Sequence, residues 1–256
     1  MKKLMFLTAV SMLLLSSKCE DDNMMQDLDG NITMNFTANY DGDPLLMYVS
    51  DYAYEDNMSM RLQLFQFYIS EVELLSSEDP SAAGEEILDV DLVSFKDVQS
   101  APEADAGIDV SIGEITPGTY KGIRFKLGVA PSLNSTTPGD YSTTHPLSNH
   151  YWSAAQGYVF TKIEGNADID GSGDFSEKLT YHIGTEPMLR EVAFFQNIEV
   201  GEGEFAALDF EVDLKKIFVK ADGSFLDFRE SPIDHTSNID VATFIADNFP
   251  SAITIK

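Results

Sequence analysis

The chain has 256 residues, 43% hydrophobic and 11% aromatic, and 43 acidic against 16 basic side chains give it a formal net charge of −27. That aromatic content excludes an acidic disordered chain, and the charge excludes nucleic-acid binding and attachment to anionic lipid through a basic face. A single cysteine excludes a disulfide scaffold and a zinc site built on several thiolates.

The N-terminus opens with Lys2 and Lys3, followed by an apolar run from Leu4 to Leu15. That run has signal-peptide length and is too short to span a bilayer. Cys19 follows Ser16, Ser17 and Lys18, an arrangement that resembles the lipobox of bacterial lipoproteins. The expectation is a signal peptide over 1–18, with Cys19 acylated and holding the protein to a membrane, the outer membrane, without a spanning helix. Lys18 departs from the small residue that the pattern prefers. Removing the signal peptide would take away three lysines and no acid. Glu20, Asp21 and Asp22 then open an acidic tether over 19–30, which resembles the surface-export signal of some lipoproteins and serves equally as a solvated linker. A periplasmic or cell-surface position follows from either reading.

From residue 31 onward, alternation with period two dominates. Met34, Phe36, Ala38 and Tyr40 alternate with polar residues, and a turn follows at Asp41, Gly42, Asp43 and Pro44. Phe65, Phe67 and Ile69 form the next run, continued by Val72 and Leu74. Ser77 to Glu86 reads as a loop. Ile108, Val110 and Ile112 alternate up to Pro117 and Gly118, and Ile123, Phe125, Leu127 and Val129 up to Pro131. Tyr158, Phe160 and Lys162 share one face of a strand, with Val159, Thr161 and Ile163 on the other. Leu179, Tyr181 and Ile183 alternate up to Gly184, Leu208 to Leu214 gives a late strand, and Ile253 and Ile255 a last short one. Short strands separated by Gly, Pro and Asp turns predict one all-β domain over 31–256, an antiparallel β-sandwich with long loops and at most one or two short helices. The predicted helix is Val241 to Asn248, capped by Asp240 and stopped by Pro250. The stretch 131–149 is the longest polar segment without periodicity, and a loop of that length is usually functional or mobile.

Histidine is scarce: His145, His150, His182 and His235. His182 falls on the strand face opposite Leu179, Tyr181 and Ile183, while His150 stands two residues before Trp152, the one tryptophan. On an extended strand His150 and Trp152 would share a face. Convergent imidazoles would suit copper or zinc. Asn166, Asp168, Asp170, Gly171 and Glu177 fit the spacing of a calcium loop, in which clustered oxygens surround the ion and glycine permits the sharp turn. Here the flanks read as strands, so an acidic hairpin loop explains the same residues. Met58 and Met60 suit either a soft metal or packing. No nucleophile elbow, phosphate loop, HExxH or dinucleotide fingerprint is present, so nothing marks an enzyme.

Several blocks occur in a recognisable order: Phe65 to Leu74, Pro117 to Val129, His150 to Gly165, Tyr181-His182-Ile183-Gly184, and Leu208 to Leu214. In this order the chain resembles the MbnP-like copper-binding domain family, named for a methanobactin-associated periplasmic protein. The resemblance runs from Asn31 to the region of His235. It implies a secreted β-sandwich that binds copper, with Trp152 at the position oxidised to kynurenine by a dihaem enzyme of the cytochrome c peroxidase type. It also implies that His182 is a copper ligand. The chain departs from the family at Ala154, where relatives carry Trp or His, and His150 is the nearest substitute donor. The competing reading is a metal-free surface lipoprotein on the same sandwich, acting as a binding or adhesion module through the 131–149 loop.

Overall fold

The structure is a computed structural model and describes residues 28–256; the expected signal peptide, Cys19 and most of the expected tether lie outside the described residues. In chain order the strands begin with β1 (Gly30–Tyr40), β2 (Asp43–Pro44), β3 (Tyr52–Ala53), β4 (Ser59–Leu75) and β5 (Glu85–Ser94). Helix α1 (Ala101–Ala106), β6 (Ile108–Ile115), β7 (Gly118–Leu127) and α2 (Pro131–Asn134) follow. The chain continues through β8 (Tyr151–Ser153), β9 (Gly157–Asp168), β10 (Glu177–Gly184), β11 (Arg190–Val200) and β12 (Phe205–Asp213). It ends with α3 (Leu214–Phe218), β13 (Ile233–Asp234), α4 (Ile239–Ala252) and β14 (Ile253–Ile255).

Two sheets face each other. The smaller runs β14-β12-β1-β2, with β6 also on β1, and the larger runs β11-β7-β4-β9-β10-β13, with β3 and β5 on β4 and β8 on β9. The long strand β4 is the spine of the larger sheet. Its first half pairs with β9 and its second half with β7. The expected sandwich is therefore present, with a difference in strand sense: β1 runs parallel to β12, and β10 runs parallel to β13. Alternation sorts side chains between faces but does not record strand direction.

Aromatic side chains from the inward faces fill the space between the sheets. Phe36 of β1 stacks on Phe210 of β12 at 5.0 Å between ring centroids and meets Phe67 of β4 edge-on at 5.9 Å. Met58 and Met60 are buried in this core, which settles them as packing residues. Helix α4 buries Val241, Ala242, Ile245, Ala246 and Phe249, and Phe249 lies edge-on to Phe67.

The predicted helix exists, but both of its ends move outward. Asn238 is the N-cap, with its side chain accepting from the Asp240 N–H, which leaves Asp240 in the first turn, where its charge favours the helix dipole. Pro250 lies inside the helix rather than ending it. It gives up one backbone bond, and the flanking buried Phe249 and Ala252 hold the last turn.

The 131–149 stretch is also more ordered than its composition suggests. It contains α2 and two single 3-10 turns, and it lies against the larger sheet. Leu147 is fully buried, Tyr68 donates to the Pro146 carbonyl, and the Asn134 side chain accepts from the Tyr158 N–H.

Candidate metal centre

Register builds the site. Ser94 of β5, Gln66 of β4, Lys162 of β9 and His182 of β10 are successive partners across the larger sheet. The neighbouring row, Phe65, Ile163 and Tyr181, is buried in the core. Because adjacent strand residues point to opposite faces, the Gln66–Lys162–His182 row lies on the outer face. Glu164, two residues after Lys162, shares that face, and its Oε1 lies 2.7 Å from His182 Nε2, within hydrogen-bond distance.

Two segments cover this face. The first is the 233–238 turn. The Asp234 carboxylate, 1% exposed, accepts from the Thr236, Ser237 and Asn238 N–H groups and from the Ser237 hydroxyl. Thr236 Oγ1 donates to the His182 carbonyl and accepts from the Gly184 N–H, stapling the turn to β10. The outcome is that His235 stands over His182, the two rings perpendicular with centroids 4.7 Å apart.

The second covering segment is β8, which carries Trp152 to within 6.4 Å of the His235 ring. Gly184 makes room for it: a Cβ there would lie 2.7 Å from the Tyr158 carbonyl oxygen and 3.3 Å from Trp152 Cζ3. Gly184→Ala is accordingly expected to cost about 1–3 kcal/mol through overpacking. It should also shift the emission of Trp152, the one tryptophan, a change that fluorescence and thermal melting read together.

His150 departs from the expected arrangement. Its φ is +61°, so the backbone turns just before β8 and the extended alternation that would align it with Trp152 does not apply. Its ring lies over Gln66 and Lys162, and Lys162 Nζ donates to its Nδ1 at 2.8 Å. Burial and the Lys162 charge push the His150 pKa down to about 4. Burial also lowers His182, opposed by Glu164, and burial lowers Lys162.

A pH dependence follows. Between about 4 and the ordinary 6.5 the unfolded chain takes up a proton at His150 that the folded chain refuses. His150 therefore withdraws stability as pH falls through that window, on the order of 2 kcal/mol after allowing for partial solvent access. His150→Gln should flatten the melting profile between pH 6.5 and 4 relative to the parent by that amount.

At the calcium-loop spacing the structure shows a closed acidic turn. Asp168, 3% exposed, turns its carboxylate onto its own loop and accepts from the Asp170, Gly171, Ser172 and Gly173 N–H groups. Those bonds, the one from Gly173 foremost, hold it below the usual carboxylate range. Asp170 accepts from the Ser172 N–H, and Asn166 accepts from Gln63. Asp168, Asp170 and Glu177 do not converge as a metal-holding group. The loop is an acidic hairpin closed by backbone amides.

Sequence reasoning missed His235 and Glu164 as members of the site. The alternation that placed Lys162 on one face of its strand also places Glu164 there, so that partner was accessible. His145 lies elsewhere, stacked on Tyr141 at 4.1 Å. Among the described residues no three His, Cys, Asp or Glu side chains form a metal-holding group. The site is an imidazole pair beside an indole, with one carboxylate on one of the imidazoles.

A mixed β-sandwich with such a cluster on the outer face of its larger sheet defines the class of this protein. The chain belongs to the MbnP family, whose model matches residues 29–239. MbnP from Methylosinus trichosporium has a similar fold, with a TM-score of 0.51 at 14% identity over 89% of this chain and 98% of that one. No curated protein matches the chain. Among the described residues no helix is long and apolar enough to cross a membrane.

Proposed function

We propose that the chain is an envelope-anchored lipoprotein that binds copper at Trp152, His182 and His235, without catalysis of its own. The observation that carries this reading is the perpendicular His182–His235 pair beside the single tryptophan. Neutral imidazoles suit copper, and burial favours the neutral form of His182. Two imidazoles alone leave a metal under-coordinated, and an unmodified indole adds no good donor. Kynurenine at position 152 would supply an aniline nitrogen and a carbonyl, so the residues present fit copper best after Trp152 is oxidised. A dihaem enzyme of the cytochrome c peroxidase type is the partner this modification calls for, and Cys19 is the anchor. Calcium has no role in this reading.

The test uses protein isolated from its own host, because a recombinant sample lacks the modifying partner. Copper by metal analysis, together with an oxidised Trp152 peptide by mass spectrometry, is the expected result. Unmodified Trp152 without copper overturns the reading and leaves a surface binding or adhesion module on the same sandwich.

A further inference from the structure

We propose that Glu164 is a positioning residue that holds the proton of His182 on Nε2, so that Nδ1 is the nitrogen offered to copper; this rests on the copper reading of the site. The geometry is specific. Lys162 is the direct cross-strand partner of His182, and Glu164 is the partner of Thr180, so Glu164 reaches His182 diagonally on the same face. The contact is 2.7 Å to Nε2, with side chains 17% and 33% exposed, so it sits in a partly dry environment rather than in open water.

An ionised carboxylate only accepts hydrogen bonds, so the proton in this contact belongs to the imidazole. A neutral imidazole carries one N–H. With that N–H on Nε2, the lone pair is on Nδ1, and Nε2 is closed to a metal. Metal-ligating histidines commonly donate their second nitrogen to a carboxylate in this way, which fixes ring orientation and raises ligand basicity. His150 obeys the opposite logic: Lys162 faces its Nδ1, and that nitrogen is occupied by a donor rather than free for a metal.

The test begins on metal-free, 15N-labelled full-length protein. The expected result is a slowly exchanging His182 Nε2–H signal with an unprotonated Nδ1. Glu164→Gln, whose side-chain oxygen still accepts, should keep the signal, and Glu164→Leu should lose it to exchange with water. In the second arm, protein from the host competes for copper(I) with a chromophoric chelator. Glu164→Leu should bind about 10–100-fold more weakly, and Glu164→Gln should stay near the parent. Melting of both variants separates this loss from unfolding. A parent protein with the His182 proton on Nδ1 overturns the proposal, as does a Glu164→Leu protein that keeps both signal and affinity. A parent protein that shows the Nε2–H signal and takes up no copper(I) overturns the copper reading instead, and the tautomer assignment survives it.

Discussion

His182→Ala protein purified from its host is expected to carry no copper, with affinity for copper(I) lowered by more than the roughly 10–100-fold that loss of a supporting residue costs. The expectation follows from the small number of donors. The imidazoles of His182 and His235 stand 4.7 Å apart and no third His, Cys, Asp or Glu joins them in a metal-holding group among the described residues. Removing either ring leaves one imidazole and whatever Trp152 contributes. His235→Ala should therefore match His182→Ala, whereas His150→Ala should stay within a few-fold of the parent, because Lys162 Nζ already donates to its Nδ1. Unchanged copper in His182→Ala, or loss in His150→Ala equal to that in His182→Ala, would show that the donors have been misassigned.

The strands that carry this site were legible in the sequence because each buries one face against an aromatic core, which forces alternation into the residues. Phe65, Ile163 and Tyr181 mark the inward rows, and His182 then falls outward without further argument. Strand direction left no such mark, so the parallel pairing of β1 with β12 emerged only in three dimensions. His235 was illegible for a related reason. It sits in a turn without periodicity, distant in sequence from His182, and only the buried Asp234 carboxylate and the Thr236 bridge bring it back over β10. At His150 a positive φ breaks the alternation with Trp152, yet its ring still lies over Lys162, the cross-strand neighbour of His182. The calcium spacing is ambiguous for yet another reason. A short acidic loop can satisfy its carboxylates with its own amides, and spacing does not distinguish that outcome from a cation site.

Phe36→Ala should destabilise the protein by about 3–5 kcal/mol, the usual cost of deleting a buried aromatic ring. Phe36 is fully buried and contacts both sheets: stacked on Phe210, its register partner in β12, and edge-on to Phe67 and Phe125 of the larger sheet at 5.9 and 6.2 Å. The cavity left behind opens between two sheets whose backbones are fixed by their ladders, so little collapse is available to offset it. A melting-temperature drop of roughly 10 °C is expected for a domain of this size, and Phe36→Leu, which keeps most of the volume, should cost less than about 2 kcal/mol. The informative comparison is with the proposed copper site. Phe36 lies inside the sandwich and His182 on its outer face, so below its own melting temperature Phe36→Ala should bind copper(I) like the parent. His182→Ala, which removes one partly exposed contact to Glu164, should melt within about 1 kcal/mol of the parent. If instead Phe36→Ala weakened copper binding as much as His182→Ala does, the outer-face site would depend on sheet packing in a way the hydrogen-bonded turn around Asp234 is built to avoid.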